Sequence, residues 1–186
     1  MADSPRDCTM ILAQTGAALR PLIRLRVNTL PPKIRHIPEL HFGWWADQGS
    51  TVDTVRPAPA LLACQAVGGE PRASYPAAVA VELVHNASLL HDDIIGQDPL
   101  PRGRPTLWAP RVPAAILAGN ALFFAAVQTL TDAPRLEQTL PILLASVQAL
   151  IEGEYLDTLI ESDTDVSADR VLGVAAGKTG ELLACA

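Results

Sequence analysis

Two adjacent carboxylates, Asp92 and Asp93, close an apolar stretch running from Glu82 to Ile95, and two arginines, Arg102 and Arg104, follow in a proline-rich segment with Asp98 between. Carboxylates are hard oxygen donors, and Mg²⁺ usually binds through one or two of them together with substrate phosphates. Arginine grips phosphate oxygens in a fork. Acids at the end of a helix beside an arginine loop therefore suit Mg²⁺ and a diphosphate. The bland alternative is a solvated acidic terminus followed by a polar loop. Acids at a helix C-terminus oppose the macrodipole, however, so the arrangement has a cost that a functional role would justify.

The element carrying these acids reads as a helix. Val79, Leu83, Ala87, Leu90 and Ile94 recur at helical spacing and form a stripe for burial. His85 and Asp92 fall on one line of that helix, about 10 Å apart along its axis. Glu82, Asn86 and Asp93 form the neighbouring line. Pro99 disfavours helix at Asp98, which places the end near Gln97.

The run His91-Asp92-Asp93-Ile94-Ile95, followed by Arg102-Gly103-Arg104-Pro105-Thr106, resembles the first aspartate-rich motif of the trans-isoprenyl diphosphate synthases, the polyprenyl synthetase family. The family pattern is D-D-x-x-D and then R-R-G-x-P-T. Val55-Arg56-Pro57-Ala58 resembles the end of its G-G-K-x-x-R-P segment, Glu152 to Asp157 its G-Q-x-x-D segment, and Gly177-Lys178-Thr179-Gly180 its K-T-G. His41-Phe42-Gly43-Trp44-Trp45 is similar to a lead-in segment of some bacterial members. The resemblance implies an all-α fold, an antiparallel helical bundle around a central cavity, with residues 1–186 forming a single domain equivalent to the N-terminal half of the family fold. It implies a prenyltransferase that binds an allylic prenyl diphosphate through Mg²⁺ and condenses it with isopentenyl diphosphate. By position, Asp92, Asp93 and Asp98 would hold the metal. Lys178 would grip the allylic diphosphate, with Thr179 beside the reacting carbon. Arg56, His85, Arg102 and Arg104 would bind substrate, and Glu154 and Asp157 would sit over the metal cluster. The prenyl chain would run past Ser88 and Ala87, whose small side chains leave room for a long one.

The departures are specific. Gly96 stands where the third aspartate belongs, Pro101 where the first arginine belongs, Asp53 in place of the lysine of G-G-K, and Glu154 in place of glutamine. Asp53 reverses the charge facing a diphosphate, and two unit charges 4 Å apart interact by about 4 kcal/mol at an effective dielectric of 20. Two other readings stay open. One is a terpene synthase-like relative acting on a single diphosphate. The other is a catalytically inactive partner subunit or truncated family member. Either a homodimer or a partner chain supplying the other half is expected.

Elsewhere, residues 7–30 read as a first helix, with Leu12, Leu19, Ile23 and Leu30 as core and Arg20, Arg24 and Arg26 as a solvated basic face. A short element over Lys33 to Trp45 brings in Phe42, Trp44 and Trp45 as packing anchors, and Arg56 to Val67 makes a short helix stopped by Gly68-Gly69. Val112 to Leu130 reads as a helix apolar all round and hence buried, with Asn120 needing a partner. Leu136 to Leu159 is a further long helix, the segment from Glu161 to Asp165 a solvated acidic loop, and Ser167 opens a last helix running through Lys178. Hydrophobic residues are 49% of the chain but aromatics only 4%, which favours helix over strand. The net charge of −6 argues against nucleic acid as a partner. Cys8, Cys64 and Cys185 are scattered and odd in number, fitting a reducing, cytoplasmic setting. No apolar run reaches the ~18 residues of a membrane span, and residues 1–7 lack the basic-then-apolar order of a signal peptide.

Overall fold

The computed structural model describes residues 7–44, 55–96, 112–161, 163 and 165–186. Its elements are all helical: α1 (Cys8–Asn28), α2 (Pro32–His41), α3 (Ala58–Ala66), α4 (Tyr75–Ile95), α5 (Val112–Leu130), α6 (Leu136–Ile160), α7 (Ala168–Ala175) and α8 (Glu181–Cys185). A 3₁₀ turn, Pro71–Ser74, leads into α4, and a π-helical turn, Ala176–Gly180, joins α7 to α8. Among the described residues there is no strand, as the sequence leads one to expect.

Helix α4 is the axis of the fold. Every residue from Ala78 to Ala87 is buried, polar ones included, because α1, α3, α5 and α6 all pack on it. Leu19, Ile23 and Val27 of α1, Leu83 and Leu90 of α4, Leu122 and Leu130 of α5, and Leu143 and Leu150 of α6 join one apolar core. Leu12 and Leu30, expected inside, are half-buried. A fully buried Leu contributes about 1.5–3 kcal/mol over an exposed one, so this core is what holds α4 rigid for its far end.

The boundaries follow local chemistry. Asp7 caps α1, its carboxylate accepting from the Thr9 amide at 3.2 Å. Gly68 adopts φ +80°, the left-handed stop after α3. Helix α3 begins at Ala58, two residues later than expected, and Arg56 lies half-buried in the turn before it. Phe42 is buried and stacks on Trp44 with centroids 4.7 Å apart; Trp45 lies outside the described residues.

Several expectations need correcting. The basic face of α1 is engaged rather than merely solvated: Arg26 pairs with Asp132 at 2.6 Å, and Arg24 lies 5.4 Å above the Trp44 ring. Asp163, expected free in solvent, pairs with Arg170 at 2.9 Å. Helix α5 is not buried all round. It presents Ala115, Ala118, Leu122 and Ala126 inward, while Leu117 is 54% and Phe124 77% exposed. Asn120 is on the exposed side and needs no buried partner. The apolar-run count also misled. Helix α5 is long and apolar enough to cross a membrane by length and composition, with mean hydropathy 1.5 and 39% of the span buried. Counting runs stops at Asn120, whereas averaging passes over it. A core helix passes the same test. Finally, the last helix is broken by the π turn at Ala176–Gly180.

Candidate active site

The π turn exists because two glycines let α6 and the chain beyond α7 touch backbone to backbone. A Cβ on Gly153 would lie 2.7 Å from the Gly177 carbonyl carbon, and one on Gly177 would lie 3.1 Å from Gly153 Cα and 3.2 Å from the Ala149 oxygen. Any side chain would wedge the crossing open. π-helical turns of this kind mark functional sites often. Here the turn carries Lys178 onto the face of α6 that bears Glu154 and Asp157, three residues apart and so neighbours on that helix.

Lys178 Nζ donates to three carboxylates from two further elements. It lies 2.8 Å from Asp157 Oδ2, 3.0 Å from Asp92 Oδ1 and 3.2 Å from Glu154 Oε1. The cluster thus joins the end of α4, the last turns of α6 and the π turn. Burial works against the charged ammonium, but its hydrogen bonds to Asp157, Asp92 and Glu154 outweigh that and hold the lysine firmly protonated. Glu154 is the most enclosed of the three acids, its side chain 14% exposed. Burial and the neighbouring Asp92 carboxylate push its pKa up to about 7, Lys178 opposing them. One ammonium faces three acids, so with all of them ionised the site keeps an excess of negative charge.

That excess bears on the metal. Asp93 is half-buried in the same last turn as Asp92, and Gly96 caps α4 through its amide, 2.8 Å from the Asp92 carbonyl. No three acids or other metal-binding side chains among the described residues are set to enclose an ion alone. The donor set is nonetheless the hard-oxygen kind that suits Mg²⁺ sharing its shell with phosphates and water. The residues fit such an ion, with Lys178 now occupying the point where the carboxylates converge.

The other expected site residues are distributed as follows. His85 is buried, two turns down α4 from Asp92, and Arg56 lies before α3, which packs on α4. Thr179 is exposed beside Lys178. Asp98, Arg102 and Arg104 lie outside the described residues, as do Asp53 and Pro101. Ala87 is fully buried in the core, so it does not line an open channel; Ser88 beside it is half-buried, with its hydroxyl donating to the His85 carbonyl at 2.8 Å.

Two features went unread in the sequence. One is a buried polar chain: His41 Nε2 lies 3.1 Å from Asn86 Oδ1, and Asn86 Nδ2 donates to Glu82 Oε1 at 2.8 Å. It ties α2 to the middle of α4. The Glu82–Asn86 spacing of four was a visible signal for half of it. The other is the contact of Gly153 with Gly177, for which no local signal exists.

The model of the polyprenyl synthetase family matches residues 52–186. A (2E,6E)-farnesyl diphosphate synthase of Mycobacterium tuberculosis is 38% identical over 98% of this chain and 54% of its own length. A geranylgeranyl diphosphate synthase of the same organism is 36% identical over 94% of this chain and 53% of its own length. The crystal structure of a polyprenyl synthetase from Streptomyces coelicolor superposes with a TM-score of 0.87 at 36% identity, covering 96% of this chain and 55% of that one. The chain therefore spans about half the length of the relatives it matches. With its helical fold, its ordered motifs and a family match over most of its length, the chain belongs to the polyprenyl synthetase family.

Proposed function

We propose that this chain carries the first aspartate motif and the lysine of a trans-prenyltransferase that joins an allylic prenyl diphosphate to isopentenyl diphosphate. The observation that carries the reading is the convergence of Asp92, Glu154 and Asp157 on Lys178, from segments far apart in sequence. In this reading Asp92 and Asp93, with Asp98 beyond the helix end, hold Mg²⁺. Bound Mg²⁺ would neutralise the diphosphate as it leaves the allylic carbon. Lys178 turns from the acids to the allylic diphosphate, and Thr179 lies next to the reacting carbon. Glu154 and Asp157 retain the metal side of the cluster. Arg56, His85 and Arg102 hold isopentenyl diphosphate, and Arg104 adds a phosphate contact. Preorganised charge of this kind is usually the largest part of catalysis.

We further propose that residues 1–186 fold as a single unit equivalent to the N-terminal half of the family fold. The other half, from the same polypeptide or a partner, would complete the cavity. The outward apolar residues support this: Leu117 and Phe124 of α5, Ile151 and Tyr155 of α6 and Leu172 of α7 are all more than half exposed. Large apolar side chains left exposed in this number are what a contact surface would cover. A homodimer would serve as well, and a cytoplasmic setting fits the chemistry.

The test is Mg²⁺-dependent release of diphosphate from farnesyl diphosphate by the full assembly, with and without isopentenyl diphosphate. The reading requires release to depend on both. Asp92→Ala should abolish it and Asp98→Ala should matter less. Release without isopentenyl diphosphate would favour the terpene synthase-like reading, which Asp53 supports. No release would favour the inactive-subunit reading, which Gly96 at the third aspartate position supports.

A further inference from the structure

The last turn of α4 is an unfavourable place for two acids. Asp92 and Asp93 face the negative end of the helix dipole, and no basic residue stands in that turn itself; Lys178 reaches Asp92 from the π turn, at 3.0 Å. The turn has also left the core: Leu90 is the last fully buried residue of α4, and 91–94 are half-buried. Something must keep this end from fraying if the two carboxylates are to act together.

The residue between the core and the acids is His91, and α5 offers it a fitted seat. Its Nε2 lies 3.2 Å from the Ile116 carbonyl oxygen. A carbonyl can only accept, so Nε2 donates. The ring also leans on Phe123, with centroids 5.7 Å apart at 50°. Between those two contacts lies Gly119, buried and without a side chain. A Cβ there would stand 2.6 Å from His91 Cδ2 and 3.1 Å from Cε1. Ile116, Gly119 and Phe123 follow one another at intervals of three and four on a single face of α5. The face thus presents a carbonyl, a notch and an aromatic ring in line. The atoms that an added methyl would meet are the tip of the imidazole, not backbone. A side chain at 119 would therefore expel the ring and leave the helices in place.

We propose that His91, seated in the notch at Gly119, is the positioning residue that pins the last turn of α4 to α5 and so fixes Asp92 and Asp93. The inference rests on reading those two acids as the metal-binding pair, but the pinning itself can be observed without metal.

The experiment compares His91→Ala, Gly119→Ala, the double variant and His91→Gln in the full chain. Amide hydrogen exchange is read in metal-free protein at Ile94, Ile95 and Gly96, with Leu83 and Val84 as core references. Each single Ala variant should speed exchange of the last turn by about tenfold or more while the core amides stay slow. The double variant should be no worse than His91→Ala, because ring and notch act as one device. His91→Gln, which keeps a donor for the Ile116 carbonyl, should recover part of the protection. In parallel, the Mg²⁺ concentration needed for half-maximal retention of farnesyl diphosphate should rise in both single Ala variants. Unchanged last-turn exchange in His91→Ala would overturn the proposal, as would additive effects in the double variant. If exchange responds as stated but even the unaltered protein shows no Mg²⁺-dependent retention, the pinning holds and the metal reading fails.

Discussion

Gly153 and Lys178 are placed by the same contact: a Cβ on Gly153 would overlap the peptide that joins Gly177 to Lys178. The atoms met are backbone, so no side-chain rotation relieves them. Gly153→Ala should therefore push the π turn off α6. Overpacking of this kind costs about 1–3 kcal/mol. Denaturant unfolding should show that loss, accompanied by weaker Mg²⁺-dependent diphosphate binding. Gly177→Ala meets its neighbours at 3.1 and 3.2 Å and should cost less. If Gly153→Ala left both stability and binding unchanged, the crossing would not be what positions Lys178.

Lys178 has two jobs that a substitution separates. Without substrate it pairs with Asp92, Glu154 and Asp157, and with substrate it is proposed to grip the diphosphate. Lys178→Gln should lower stability at neutral pH in metal-free protein, because breaking a network leaves its remaining charges uncompensated. Added Mg²⁺ should raise the melting temperature more in the variant than in the parent, since the ion no longer competes with an ammonium. Affinity for farnesyl diphosphate should fall meanwhile. A variant that binds Mg²⁺ more weakly than the parent would show that Lys178 helps to shape the metal site and does not compete for it.

How much of this was visible in the chain depends on how local the cause is. The apolar recurrence from Val79 to Ile94 marks α4, Gly68 marks a stop, and motif order marks the family. Those are properties of short segments. The exposed face of α5 was not legible, because a run of Ala, Leu, Ile and Phe looks the same whether one side or all sides are covered. The π turn was not legible either. It arises from Gly153, over twenty residues away, allowing an approach that a regular helix would not make. Lys178 could be matched to a motif, but its bonds to three acids are tertiary facts.

Glu154 gives the site a pH signature in the absence of metal. Its pKa rises from an ordinary value near 4.5 to about 7, first through burial and then through Asp92. The folded protein then holds a proton that the unfolded chain releases, so stability falls as pH rises through that interval. The contribution is complete below about 4.5 and gone above about 7. Glu154→Gln cannot titrate and should flatten this part of the stability–pH profile, with the greatest gain over the parent at alkaline pH. Thermal melts in chelator across that range check it. Parallel profiles for the two proteins would mean that folding leaves the Glu154 carboxyl at its ordinary pKa.

If the proposed function holds, the length of prenyl chain accepted turns on which small residue below Asp92 lines open space. Ala87 and Ser88 lie five and four residues before the first acid, about 6–7.5 Å down the helix axis. The sequence treats the pair alike, but the structure separates them: Ala87 has no exposed surface, whereas Ser88 is half-buried. A phenylalanine at Ala87 has to displace core side chains, and Ala87→Phe should cost about 1–3 kcal/mol. Ser88→Phe projects into accessible space, loses the hydroxyl bond to the His85 carbonyl, and should be tolerated better. Placed in the full assembly, it should shorten the longest prenyl diphosphate retained or made while leaving the diphosphate affinity of short substrates unchanged. Competition between farnesyl and geranylgeranyl diphosphates for the same site measures both effects. An unaltered chain-length preference in Ser88→Phe would remove this level of α4 from the path of the prenyl chain. Shortening in Ala87→Phe alone would mean that α4 rotates on binding substrate and turns its buried face to the cavity.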